Sequence, residues 1–325
     1  MTSFAAGRVR QYNLSEVRYP RMKCPTSPRL AAMCFGEFLG TFILVLFGTG
    51  TVAVTILFKA HVGLLQVAAV WGIGVTLAIY ATRHLSCAHL NPAVSLGMVL
   101  ANRMRAGLLP WYIVAQLAGA VAAGGVILML FGDSIAGYEA AHQITRGTPA
   151  SVQTAMMFGE YFPNPGVVDI SPVVTMGTAA MAEGLGTFLL VMLVFVLTEG
   201  CNVGRPADGS TPVFIGAAVA AIISILGPLT QAGLNPARDF GPRLVAYLAG
   251  WDHVAIPGPR GGFFTVYILA PVLGGAVAAI CFRFLVSRLM GGREKVCCGQ
   301  DDPCDVSTGS NAGTTSSSQQ PPAGN

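Results

Sequence analysis

Only 10% of the 325 residues are charged while 53% are apolar, and the mean hydropathy is +0.61. A soluble domain carries about 25% charged residues, so the bulk of this chain belongs in lipid. The net charge of +4 is mild, sits mostly in the two ends and forms no basic stripe, which argues against nucleic-acid binding.

Residues 1–30 form a basic, polar stretch with Arg8, Arg10, Arg18, Arg21, Lys23 and Arg29 against the single acid Glu16. It has no apolar core, so a cleavable signal peptide is not expected and the first apolar span must direct insertion. Apolar spans are predicted at 31–57, 64–83, 108–131, 173–198, 211–229 and 263–287. Residues 133–172 read as a long connecting loop. Residues 291–325, rich in Ser, Thr, Gly and Pro, read as a disordered tail. Cys297 and Cys298 follow the last span, where palmitoylation and an ordinary reduced pair both stay open. The eight cysteines show no regular framework, and neither a metal site nor a cofactor is expected.

Six spans put both ends on one side. Lys and Arg mark the cytoplasmic side, and Arg83, Arg103, Arg105, Arg205, Arg283, Arg288, Arg293 and Lys295 fall with the ends. Lys59, Arg146, Arg238, Arg243 and Arg260 fall opposite. Cytoplasmic tails are therefore expected.

The chain repeats itself. Glu37-Phe38-Leu39-Gly40-Thr41-Phe42-Ile43-Leu44-Val45 returns as Glu183-Gly184-Leu185-Gly186-Thr187-Phe188-Leu189-Leu190-Val191. Asn91-Pro92-Ala93 returns as Asn235-Pro236-Ala237, and Gly119–Ala123 is echoed by Gly275–Ala279. Three spans per copy invert the second copy in the membrane. Repeat 1 covers about 31–132 and repeat 2 about 173–290, together one domain over 31–290.

Each Asn-Pro-Ala opens an apolar run too short to cross a bilayer, which takes about 20 residues. Asn suits the N-cap, and Pro suits the first helical turn. A helix that begins in mid-membrane exposes N–H groups and a positive dipole end, tolerated only where it lines a cavity or is buried in protein. Two such breaks point to a site at the midplane between the halves. The side-chain oxygens of Asn91 and Asn235 would cap their own helices and leave the NH2 donors facing a lumen.

Several other residues stand out. Arg238 is an intramembrane charge, either functional or snorkelling to headgroups. Glu37 and Glu183 are acids inside apolar spans and need partners; a structural role is favoured over a proton relay. Trp71 lies mid-span, away from the usual interfacial belt, as a lipid-facing or packing aromatic. His89 is expected to hydrogen-bond vestibule backbone, and His84 with Arg83 forms a candidate gate. A Cys87 thiol beside a pore would be a target for mercurials.

On GEFLGTFILVLFGTG, WGIGVTLAIY, AHLNPAVSLG, EYFPNPG, GPLT and NPARDFGPR, the chain resembles the aquaporin family over about residues 31–290, in particular its glycerol-facilitator branch. Asp239 directly after Arg238 and the long loop look like that branch. The resemblance implies an all-α membrane channel of six transmembrane helices and two re-entrant half-helices. It implies passive passage of glycerol and water without enzymatic chemistry, and a homotetramer in the plasma membrane. Exclusion of protons and cations by half-helix dipoles and an Arg belongs to aquaporin-type pores generally. By the same alignment Trp71, Ile223, Ala232 and Arg238 form the outer filter. Backbone carbonyls of Cys87, Ala88, His89, Gln231, Ala232 and Gly233 form a ladder, Glu37 and Glu183 hold the loops, and Asp239 steadies the second half-helix. Ile223 and Ala232 depart from the Gly and Phe of the bacterial glycerol facilitator and resemble a plant subgroup instead. Rival readings are a channel of this fold favouring water, hydrogen peroxide, urea or metalloid acids, and an ion-coupled transporter.

Overall fold

The computed structural model describes residues 29–167 and 174–290. The basic stretch up to residue 28, the expected tail 291–325 and Cys297 and Cys298 lie outside the described residues. Among the described residues all regular structure is helical. The elements are α1 (Leu30–Phe58), α2 (Leu64–Ser86), α3 (Pro92–Leu100), α4 (Leu109–Ala141), α5 (Met176–Thr198), α6 (Thr211–Thr230), α7 (Pro236–Ala246) and α8 (Ala270–Cys281). α8 is the centre of a longer span, Phe263–Leu289, wound more loosely as π-helix on either side.

Six helices are long and apolar enough to cross a membrane: α1, α2, α4, α5, α6 and the span around α8. The chain is thus a multi-pass membrane protein. Six crossings return both described ends to one face, the tail face; the opposite one is the far face. α3 has 9 residues and α7 has 11. At 1.5 Å per residue they reach about 14 and 17 Å, roughly half of a 30 Å hydrocarbon core.

Local chemistry explains the helix ends. The Asn91 side-chain oxygen accepts from Ala93 N, and that of Asn235 accepts from Ala237 N and Arg238 N, with Pro next in line each time. The Gln66 side chain accepts from the Val62 and Gly63 N–H groups and so fixes the start of α2. α2 and α6 both stop at a left-handed residue, Cys87 and Gln231.

The two copies pack alike. α1 lies on α2 and α4; α5 lies on α6 and α8; α2 and α6 join the copies. Each half-helix then crosses over: α3 packs on α8 and α7 on α4. Two glycines permit equivalent crossings. A Cβ on Gly119 would stand 2.2 Å from the Phe38 carbonyl oxygen on α1, and one on Gly274 would stand 2.0 Å from that of Gly184 on α5.

One boundary differs from the sequence expectation. α4 runs to Ala141 rather than stopping near 131. Its added turns are covered, because the following connector folds back on them. Buried Glu139 accepts from Thr154 (2.7 Å) and Arg146 (2.9 Å), Arg146 stacks over Trp251, and Trp251 donates to Thr154.

Candidate functional site: a lumen between two half-helices

The two approaches to the half-helices are built the same way. Before α3, Cys87, Ala88 and Leu90 have φ of 65°, 53° and 54°; before α7, Gln231, Ala232 and Leu234 have 64°, 58° and 56°. Left-handed backbone at residues with a Cβ costs about 1–2 kcal/mol each, so these loops need external restraint. A buried carboxylate supplies it in each copy. Glu37 accepts from His89 N (2.9 Å) and Leu90 N (2.7 Å), and Glu183 accepts from Gly233 N (2.9 Å) and Leu234 N (2.8 Å). Gln116 donates to Glu37 as well, at 2.7 Å. Tyr112 donates to the Ser86 carbonyl and Tyr267 to the Thr230 carbonyl, tying down the end of α2 and of α6.

The two loops also brace each other. The Asn91 NH2 donates to the Leu234 carbonyl (3.0 Å), and the Asn235 NH2 donates to the Leu90 carbonyl (2.7 Å). One N–H of each amide is thereby used between the repeats. The second remains for a solute, since a primary amide has two.

A cavity of about 410 Å³ passes this junction. It reaches Trp71, Ile223, Ala232 and Arg238 at one end. It passes Asn91 and Asn235 and continues to Arg83, Arg103, Arg205 and Asp208 on the tail face. Apolar side chains Leu44, Val75, Ile79, Leu190, Val194, Ile215 and Val219 form much of its wall. Ala88, His89, Leu90, Ala232, Gly233 and Leu234 supply the polar part. The carbonyl oxygens of Ala88, His89, Ala232 and Gly233 accept no hydrogen bond from the described residues. The cavity wall therefore combines apolar side chains with available acceptors.

At the far end the Arg238 guanidinium stacks 4.0 Å from the centre of the Trp71 ring. Gly48 makes room for that ring, since a Cβ there would come within 2.0 Å of it.

A family model described as major intrinsic protein matches residues 25–282. The chain belongs to the major intrinsic protein family. Among members, it is 40% identical over 263 residues to a glycerol uptake facilitator protein of Pseudomonas aeruginosa, covering 81% of this chain and 91% of that one. It is 36% identical over 293 residues to the glycerol uptake facilitator protein of Escherichia coli, covering 90% and 96%. A propanediol uptake facilitator of Citrobacter freundii is 36% identical over 260 residues, with 80% and 93% covered. The aquaglyceroporin of Plasmodium falciparum, a solved structure, shares the fold with a TM-score of 0.69 at 23% identity, over 81% of this chain and 99% of that one.

Within this member of the family, two placements differ from the sequence expectation. Gln231 does not line the cavity; its side chain turns to the connector, accepting from Tyr161 N (2.9 Å) and donating to the Met156 carbonyl. The His89 ring makes no hydrogen bond to vestibule backbone; both its nitrogens lack a partner among the described residues, and it lies tilted 5.1 Å from Tyr112. Arg83, of the candidate gate, lines the cavity toward the tail face and donates to the Asp208 carbonyl in the α5–α6 connector. Cys87 lies in the lining of the cavity, on the loop before α3.

Asp239 accepts from Arg243, at 2.9 and 2.8 Å, and from the Glu160 N–H at 2.7 Å. It thus anchors α7 to the connector. Arg243, expected at the far face, is buried beneath that connector and donates to the Ala255 and Glu160 carbonyls. Burial pushes the Tyr161 phenol up to about 12; Arg243 opposes and Asp239 adds to this. Sequence reasoning passed over two residues here. Glu160 forms a buried ion pair with Arg238, and Glu199 forms one with Arg103. Glu160 stood in view inside EYFPNPG, as an acid in a loop facing an intramembrane Arg. Its signal was the charge that Arg238 leaves unbalanced.

Proposed function

We propose that this chain is a passive channel for small uncharged solutes, glycerol and water among them, that excludes protons and ions. The observation that carries the proposal is the mixed wall: Trp71, Ile223 and other apolar side chains together with carbonyl oxygens that have no donor among the described residues. A linear polyol has carbons along one edge and hydroxyls along the other. It can shed its water in such a passage with both edges satisfied, avoiding the penalty for an unpaired buried hydroxyl. The facilitator names of its relatives support the same solute class.

In this reading Trp71, Ile223, Ala232 and Arg238 make the outer filter, and Asn91 and Asn235 hold the solute at the midplane. The carbonyls of Ala88, His89, Ala232 and Gly233 form the ladder, while Glu37, Glu183 and Asp239 serve as struts. Transport is without chemistry, as the facilitator relatives suggest. The tails are proposed to be cytoplasmic in the plasma membrane on the Lys and Arg distribution, and the family resemblance supports a homotetramer.

Stopped-flow light scattering on proteoliposomes tests the proposal. Glycerol-driven swelling well above that of protein-free vesicles is expected. Glycerol flux no faster than in empty vesicles, with fast water or urea flux, would move the assignment to a same-fold channel of other solutes. Uptake that saturates and needs a proton or sodium gradient would replace it by a coupled transporter.

A further inference from the structure

We propose that Gln231 is a positioning residue of this channel, fastening the filter backbone at Ala232 to the connector that follows α4. The proposal rests on the channel reading and adds to it a residue that itself stays out of the lumen.

Gln231 ends α6 with a left-handed φ of 64°, and its N–H donates to the Gly227 carbonyl at 2.9 Å. Gly has no Cβ to clash in that conformation, and Asn offsets its own by local hydrogen bonds; Gln is too long for that. Its compensation comes from a distance. Gln231 Oε1 accepts from the Tyr161 N–H at 2.9 Å, and Nε2 donates to the Met156 carbonyl at 3.4 Å. One partner is a donor and the other an acceptor, so the amide fits them in one orientation only. Met156 and Tyr161 are both buried, in a cluster with Phe158, Trp251 and Val254 that makes a firm anchor.

The next residue, Ala232, lines the far end of the cavity with Trp71, Ile223 and Arg238. Its side chain is a single methyl, so its share of the aperture is set by where its backbone stands. That backbone hangs between two anchors. Downstream, Glu183 accepts from Gly233 N and Leu234 N. Upstream, the Gln231 amide grips the connector. A local bond from Ala232 N to the Thr230 hydroxyl, 3.2 Å, lies between them. In the first copy the matching place is held by Cys87, whose side chain carries no amide to span a backbone donor and a backbone acceptor. The upstream amide bridge thus belongs to the far-face end. Without it Ala232 and its carbonyl gain play, and the wall that limits solute width is held less well. Polyols longer than glycerol gain most from a looser wall, because glycerol already fits in the channel reading.

The test compares wild type with Gln231→Asn and Gln231→Gly in proteoliposomes. Both replacements suit the left-handed backbone, and neither reaches the connector. The Asn164 amide still donates to the Gly227 carbonyl in each, so the connector keeps a tie to the end of α6. Melting temperatures in detergent are expected to stay near that of the wild type. Hydrogen exchange over residues 156–161 should quicken, since the Tyr161 N–H loses its acceptor. The erythritol-to-glycerol permeability ratio should rise about threefold or more in both variants, modest beside the roughly hundredfold that a misplacement of about 1 Å can cost at a preorganised site. An unchanged ratio in the folded variants, with or without a fall in melting temperature, would leave Gln231 a structural side chain and overturn the proposal. Unchanged exchange over 156–161 would overturn it as well, because the bridge would not exist. A wild type that passes no glycerol would instead refute the glycerol assignment, and the urea-to-water ratio of the same vesicles would then report on Gln231 in the same way.

Discussion

Arg238 is buried, stacked on Trp71 and paired with Glu160, so its side chain fills space as well as offering donors. Arg238→Ala is expected to widen the far end and raise the permeability of polyols longer than glycerol by about tenfold relative to glycerol, a change of about 1.4 kcal/mol in barrier. Swelling rates across a polyol series measure it, and an unchanged size cutoff would remove Arg238 from the filter. Glu37 serves three donors at once: His89 N, Leu90 N and the Gln116 amide. Glu37→Ala strands them in a buried site, each at about 1–3 kcal/mol. Its melting temperature in detergent should fall well below that of the wild type, with a larger drop than for Thr41→Val, which removes a hydroxyl that has no partner among the described residues.

At the scale of elements, helix separation is set by where a side chain is missing. A Cβ on Gly274 would meet the Gly184 backbone at 2.0 Å, and backbone cannot swing aside. Gly274→Val should prise α8 from α5, and with it the support of α3, giving little folded protein. Gly137, near the end of α4, has open space around the point where a Cβ would stand, so Gly137→Ala should be tolerated or stabilising by about 0.5–1 kcal/mol. Size-exclusion profiles of the two variants in detergent compare them directly; equal behaviour would contradict the packing account. Gly48→Val sits between these cases. It would displace the Trp71 ring rather than backbone, so the protein should fold but lose solute discrimination, seen in the same swelling series.

Across the whole molecule the repeat is functional geometry. Each Asn amide crosses to the other copy's loop, so neither half-helix is positioned by its own repeat alone. Asn91→Ala and Asn235→Ala should each slow glycerol flux. The double variant should lose less than the two single losses multiplied, because either change already breaks the shared junction. Strictly multiplicative losses would show the two amides to be independent.

The sequence by itself determined the inverted repeat, the six spans and the two broken helices. These follow from hydropathy, residue spacing and the capping chemistry of Asn-Pro, which are local properties. It also marked Trp71 and Arg238, because an indole and a charge at membrane depth are costly without a reason. It left open who pairs with whom. The extra turns of α4, the burial of Arg243 and the Glu160 contact depend on a connector folding back over the far face. Gln231 likewise turned from the lumen because its partners, Met156 and Tyr161, lie about 70 residues away in the chain. Only the tertiary structure decided these, since a polar side chain in lipid takes the nearest partner in space, and spacing along the chain does not encode that distance.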